Sequence, residues 1–113
     1  MDRNEKKRLR ERIGEHIDVA GTKMSDEEAT LLAGVIDNYD EKYRGESSTK
    51  TSSFTGWSSD GKYTRTETRT HTFTDEVGIR EDYEYQDDDG QTGTESKVIK
   101  DARGILNWLQ GRP

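Results

Sequence analysis

The chain has 113 residues, room for one small domain; 27% are hydrophobic, 37% are charged and the net charge at pH 7 is −6. That apolar share falls well below the roughly 45–50% of ordinary domains, so the core has to be thin, which favours burial against a partner or a second copy. No cysteine is present, which excludes disulfides, thiol catalysis and cysteine-based zinc sites.

The charge is unevenly spread: residues 1–16 hold six Lys/Arg against four Asp/Glu, and residues 75–90 hold eight Asp/Glu against one Arg. The overall acidic balance lowers the expectation of nonspecific nucleic-acid binding. The basic N-terminus has no apolar run behind it and no stretch approaches 18 apolar residues, so the expectation is a cytoplasmic protein with no membrane contact. Nine aromatics and strongly periodic apolar residues argue for a folded chain despite the high charge.

Residues 4–18 read as a first helix, with Leu9, Ile13 and Ile17 making a narrow apolar stripe. Glu5, Glu11 and Glu15 interleave with the basic residues between Lys6 and Arg12, as expected of a solvated helix face. After the loop 18–24, Ser25 and Glu28 have the spacing of a capping box. A second helix is expected to run to about Tyr43, burying Leu31, Leu32, Val35, Ile36, Tyr39 and Tyr43, with Gly45 as its stop. The two helices should form an antiparallel hairpin, with Gly14 and Gly34 serving close backbone approach.

From about Thr49 the pattern changes to period two. Asp60-Gly61 and Asp89-Gly90 are hairpin-turn signals, and 75–78 supplies a longer turn. Four strands follow, at about 49–59, 62–74, 79–88 and 91–97. Helical spacing returns at Val98 and runs to Gln110, ended by Gly111 and Pro113. The order is ααββββα. It predicts a single α+β domain: a helical hairpin at 1–45, a four-stranded antiparallel meander at 46–97 and a C-terminal helix at 98–113, with the helices on one face of the sheet.

Within the meander, 64–74 reads TRTETRTHTFT, with Thr at every even position. Two-residue turns at the Asp-Gly pairs and a four-residue loop at 75–78 predict a register. Thr70 then faces Tyr83, while His71, Arg69 and Arg65 face Asp82, Glu84 and Asp88. Opposite charges across a ladder favour that pairing by roughly 0.2–1 kcal/mol each. The threonines would then lie beneath the helices with Trp57, Ile79, Tyr83 and Tyr85. A one-residue slip at 75–78 would instead join Phe73 and Tyr63 to Tyr83 and Tyr85.

Catalytic signals are sparse. His16 and His71 stand apart, and no G-x-S-x-G, G-x-x-x-x-G-K-[ST], G-x-G-x-x-G or H-E-x-x-H occurs. Asp87-Asp88-Asp89-Gly90 resembles part of a calcium loop, but Tyr85 falls where the first ligand belongs. No metal or cofactor is expected, and the chain is read as a non-enzyme. A Thr array turned to solvent would suit ice binding, but large apolar residues in the same layer point to burial.

The expected function is therefore that of a small binding protein, an accessory regulator or inhibitor acting on a larger protein, of a kind common among phage and mobile-element products. Phe54, Tyr63, Arg65, Arg69, His71 and Phe73 are the candidate partner-binding residues, because aromatic and Arg side chains are enriched at protein interfaces. The same residue types on an open sheet could stack single-stranded bases, the second expectation. A nucleotide-like ligand between sheet and helices is the third, and a homodimer is an allowed arrangement.

Overall fold

The computed structural model describes residues 2–111. Helix α1 spans Arg3–Gly14 and α2 spans Asp26–Asp37; a π-helical turn, Tyr39–Tyr43, leads into strands β1 (Ser47–Ser58), β2 (Gly61–Phe73), β3 (Ile79–Asp87) and β4 (Thr92–Ile99), and α3 (Ala102–Leu109) closes the chain. The strands form one antiparallel sheet in the order β1-β2-β3-β4. This is the ααββββα α+β architecture read from the sequence. Pro113, the expected helix stop, lies outside the described residues.

Local signals account for the helix ends. Ser25 Oγ accepts the Glu28 N–H while a Glu28 carboxylate oxygen accepts the Ser25 N–H, each at 3.1 Å, completing the capping box. Gly45, at φ +79°, stops the π turn in the left-handed conformation that suits glycine. Lys6 and Arg10 reach Asp26 at 3.1 and 3.3 Å, and Arg12 reaches Asp37. The first helix is shorter than expected: Ile17 lies beyond it, yet is buried. Gly14 and Gly34 do not serve close approach. A methyl at Gly14 would make an ordinary 3.6 Å contact with Val19, and at Gly34 it would meet open space. Among the glycines within the helices the crowded one is Gly104, where a methyl would lie 2.5 Å from Ile99 Cγ2.

Val98 and Ile99 belong to β4, not to the last helix. Their apolar character fits either period, but Ile99 pairs with Ile79 across the ladder, and Asp101 supplies the cap of α3 by accepting the Gly104 N–H at 2.9 Å. Asp18 and Asp101 form a parallel bridge that ties the interhelical loop to the start of α3.

The core is the helical layer plus one end of the sheet. Ile13, Ile17, Leu32, Val35, Ile105 and Leu106 meet Phe73 and Ile79, with Ile99 and Trp108 packed at the margin. Phe73 lies edge-on to Trp108 at 5.2 Å and to Tyr43 at 5.1 Å. Strand β2 alone has 13 residues, about 43 Å of extended chain. The sheet therefore runs far beyond the helices, and the molecule measures 61 × 26 × 18 Å.

The register corrects the expected faces. Thr70 lies opposite Asp82, not Tyr83, and Phe73 opposite Ile79. The β2–β3 loop holds five residues, 74–78, and the extra residue exchanges the two faces of β3. Tyr39 fixes that loop. Its buried hydroxyl accepts the Gly78 N–H at 3.3 Å and lies 2.7 Å from the Thr74 carbonyl and 2.9 Å from that of Glu76. The β3–β4 turn is also one residue longer than expected: Asp87 N–H donates to the Gln91 carbonyl, and Tyr85 faces Gly93. At the first hairpin Ser58 pairs with Gly61, which shifts the β1–β2 pairing by two residues and keeps the Thr side intact.

Candidate functional site

The helices cover the face carrying Phe73, Ile79 and Ile99, and the Thr face is bare. On that bare face cross-strand hydroxyls pair: Ser47 with Thr72 at 3.0 Å, Thr49 with Thr70 at 3.2 Å, Thr51 with Thr68 at 3.4 Å and Ser53 with Thr66 at 3.2 Å. Next to this ladder β3 supplies Arg80, Asp82 and Glu84; Asp82 accepts from Arg80 and from Ser96 Oγ. Two hydroxyl columns are thus bordered by a charged one, and Trp57 stands at their outer end, 77% exposed. Ile79 and Tyr83 are on the opposite face, so burial beneath the helices does not explain the threonines.

The other face, beyond the helices, is a plate of tyrosine, arginine and carboxylate. The alternation of β2 sends Tyr63, Arg65, Glu67 and Arg69 to it, and β3 adds Glu81, Tyr83, Tyr85 and Asp87. Two glycines in the flanking strands make room for rings. A methyl at Gly56 would lie 2.5 Å from the Tyr63 ring, and one at Gly93 would lie 2.2 Å from the Tyr85 ring. Each tyrosine lies across the glycine it faces, as aromatic residues do when they cover strand glycines.

Charge locks the plate. Arg65 donates two hydrogen bonds to Asp87, at 2.6 and 2.9 Å, and its guanidinium lies 4.1 Å over Tyr85 and 5.6 Å from Tyr63. Among the described residues Asp87 is the one buried charged side chain. The hydrogen bond from Arg65 holds its carboxyl below the ordinary value, against burial, and Asp87 in turn raises the Arg65 guanidinium. Arg69 lies 4.6 Å over Tyr83 and 3.5 Å from Glu81. The Tyr83 hydroxyl donates to Glu67, which raises the phenol above its usual value, with burial adding to the effect.

The six residues expected to bind a partner share this face, but in two environments. Phe54, 44% exposed, faces Arg65. With Tyr63, Arg65 and Arg69 it belongs to the uncovered plate. Phe73 is in the core. His71 is half-buried, 5.6 Å from Trp108 and 3.6 Å from Glu81. The expected pairs Arg65–Asp88, Arg69–Glu84 and His71–Asp82 are replaced by Arg65–Asp87, Arg69–Glu81 and His71–Glu81, because the face of β3 is exchanged. Tyr83, Tyr85 and Asp87 are plate members that the expected register placed elsewhere. Gly56 and Gly93 report the pairing of the first and last hairpins, where they face Tyr63 and Tyr85; the β2–β3 pairing that brings Tyr83, Tyr85 and Asp87 to the plate follows from the five-residue 74–78 loop.

The acidic turn does not gather around one point. Asp87 is taken by Arg65, Asp89 accepts the Gln91 N–H at 3.1 Å and Asp88 is exposed. Among the described residues no group of three or more His, Asp or Glu side chains converges. An open depression of about 520 Å³ lies beside the plate, lined by Arg69, Glu81, Tyr83, Glu95, Ser96 and Lys97. No described helix is long and apolar enough to cross a membrane. No protein-family model, curated protein or solved structure matches the chain.

Proposed function

We propose that the protein is a non-enzymatic, cytoplasmic binding module, an accessory regulator or inhibitor of phage-like type, whose uncovered Tyr/Arg plate docks on a larger protein. The observation that supports this is the preorganised plate itself. Its rings and guanidinium groups are held by Gly56, Gly93, Asp87, Glu67 and Glu81 before any partner arrives. Tyr and Arg dominate interface hot spots, and side chains already fixed lose little entropy on association. Mixed charge on the plate suits a protein surface better than a phosphate backbone. Arg65 and Arg69 already have carboxylate partners, which weakens the single-stranded nucleic-acid alternative.

The test uses a photo-crosslinking residue at Tyr83, with one at Leu31 on α2 as control, in extract of the source cells. A protein captured through Tyr83 alone is then purified and titrated by calorimetry. Tyr83→Ala with Arg69→Ala should weaken its affinity at least about tenfold. Unchanged affinity, or salt-steep binding of single-stranded DNA or RNA lost in Arg65→Ala/Arg69→Ala, would overturn the proposal.

A further inference from the structure

We infer that the protein forms a two-fold dimer through β1, joining two four-stranded sheets edge to edge into one of eight strands. The inference does not depend on a plate partner. Strand β1 is an outer strand of 12 residues, and every position except Gly56 is exposed. Soluble proteins blunt such edges with prolines, bulges, charges or short strands, because free N–H and C=O groups recruit another strand. Strand β1 has no proline and a single charge, Lys50, and it carries Phe54 and Trp57, two large exposed apolar side chains. The opposite edge, β4, is shorter, carries Glu95 and Lys97, and has Tyr85 lying across Gly93.

The strand's own pattern selects a second copy as occupant. The Glu46 carbonyl accepts the Phe73 N–H at 2.9 Å. Strand alternation then turns the backbone groups of Ser47, Thr49, Thr51, Ser53 and Thr55 outward. Antiparallel pairing about a two-fold at Ser52 sets Thr51 opposite the second copy's Ser53 and Thr49 opposite its Thr55, a small hydroxyl against a small hydroxyl at these four central steps, with Ser47 opposite the second copy's Trp57 at either end. It also sets each Lys50 opposite the other copy's Phe54, so the one charge on the edge meets an aromatic ring rather than its like. A two-fold perpendicular to the sheet keeps both Thr faces on one side. The hydroxyl pairs of β1 and β2 then become four adjacent columns, and both plates share the other side.

Sedimentation equilibrium of the full chain from about 1 to about 200 μM tests the inference, because association must follow mass action. The expected species has twice the 12.9 kDa protomer mass. Thr51→Pro removes an outward N–H that β2 does not use, a substitution that edge strands tolerate. It should give a monomer with unchanged far-UV circular dichroism. Phe54→Lys puts Lys opposite Lys50 and should weaken the dimer at least about tenfold, whereas Phe54→Glu should keep or tighten it. These two variants decide the matter even if Thr51→Pro fails to fold. A monomer at every concentration, a dimer indifferent to folded Thr51→Pro, or equal behaviour of Phe54→Lys and Phe54→Glu would each overturn the inference.

Discussion

Tyr39→Phe isolates the contact that sets the sheet register. The substitution keeps the ring, and with it the edge-on packing against Phe73 at 6.0 Å and the stacking on Tyr43 at 6.3 Å. It deletes only the hydroxyl, which accepts from Gly78 N–H and donates to one carbonyl at a time, nearest Thr74 at 2.7 Å. The Glu76 and Gly78 carbonyls keep other donors, the Thr74 hydroxyl and the Thr74 N–H. The loss is therefore one hydrogen bond plus a buried Gly78 N–H without a partner, about 2 kcal/mol together. For a chain of this size that corresponds to roughly 8 °C in thermal midpoint. Urea unfolding at one fixed protein concentration should show a lower midpoint with unchanged slope. The Gly78 amide should exchange faster than in the parent. Tyr43→Phe is the control, because the Tyr43 hydroxyl makes no hydrogen bond to a described residue, and it should change stability by under about 0.5 kcal/mol. A Tyr39→Phe loss as small as the control's would refute the assignment of the loop to this hydroxyl.

Gly93→Ala should cost about 1 kcal/mol by displacing the Tyr85 ring, and much less in a Tyr85→Ala background. Equal costs in both backgrounds would mean that the ring does not lie across the glycine. Asp87 titrates lower in the folded chain than in the unfolded one, chiefly through the hydrogen bond from Arg65. Its contribution is thus complete above the ordinary carboxylate value near 3.9 and is lost as pH falls through the depressed folded value. Asp87→Asn should lower the thermal midpoint at pH 7, and the gap to the parent should close in acid. A gap constant from neutral pH to about pH 2 would contradict the Arg65 pairing.

Much of the architecture was legible because its signals are local. The Ser25–Glu28 capping box and the Thr alternation each depend on residues a few positions apart, and each lies where the sequence places it; both hairpin turns fall at the Asp-Gly pairs, but the first is centred on Ser59 and Asp60 and the second holds three residues. The faces of the sheet were not legible by the same means, since one residue in a loop reverses them. Charge complementarity could not arbitrate. Strand β3 and its turn carry Glu81 and Asp87 on one parity and Asp82, Glu84 and Asp88 on the other, so Arg65, Arg69 and His71 find carboxylates in either register. What distinguishes the registers is long-range: Tyr39 reaching the 74–78 loop and Phe73 meeting the helical core.

The reversal also explains how so apolar-poor a chain can build so long a sheet. Had the threonines been the floor beneath the helices, the core would have needed β-branched methyls along the whole length of β2. Instead the hydrophobic layer ends near Phe73, Ile79 and Ile99. Beyond it the sheet is held by ladder hydrogen bonds, tyrosine rings on glycines and the Arg65–Asp87 pair. Those interactions need little apolar area, but they leave both faces and the β1 edge in solvent. An exposed sheet edge with so little apolar cover is marginal on its own. The low hydrophobic content that first pointed to partner burial is thus spent at one end of the molecule, and the other end is where a partner or a second copy has most to cover.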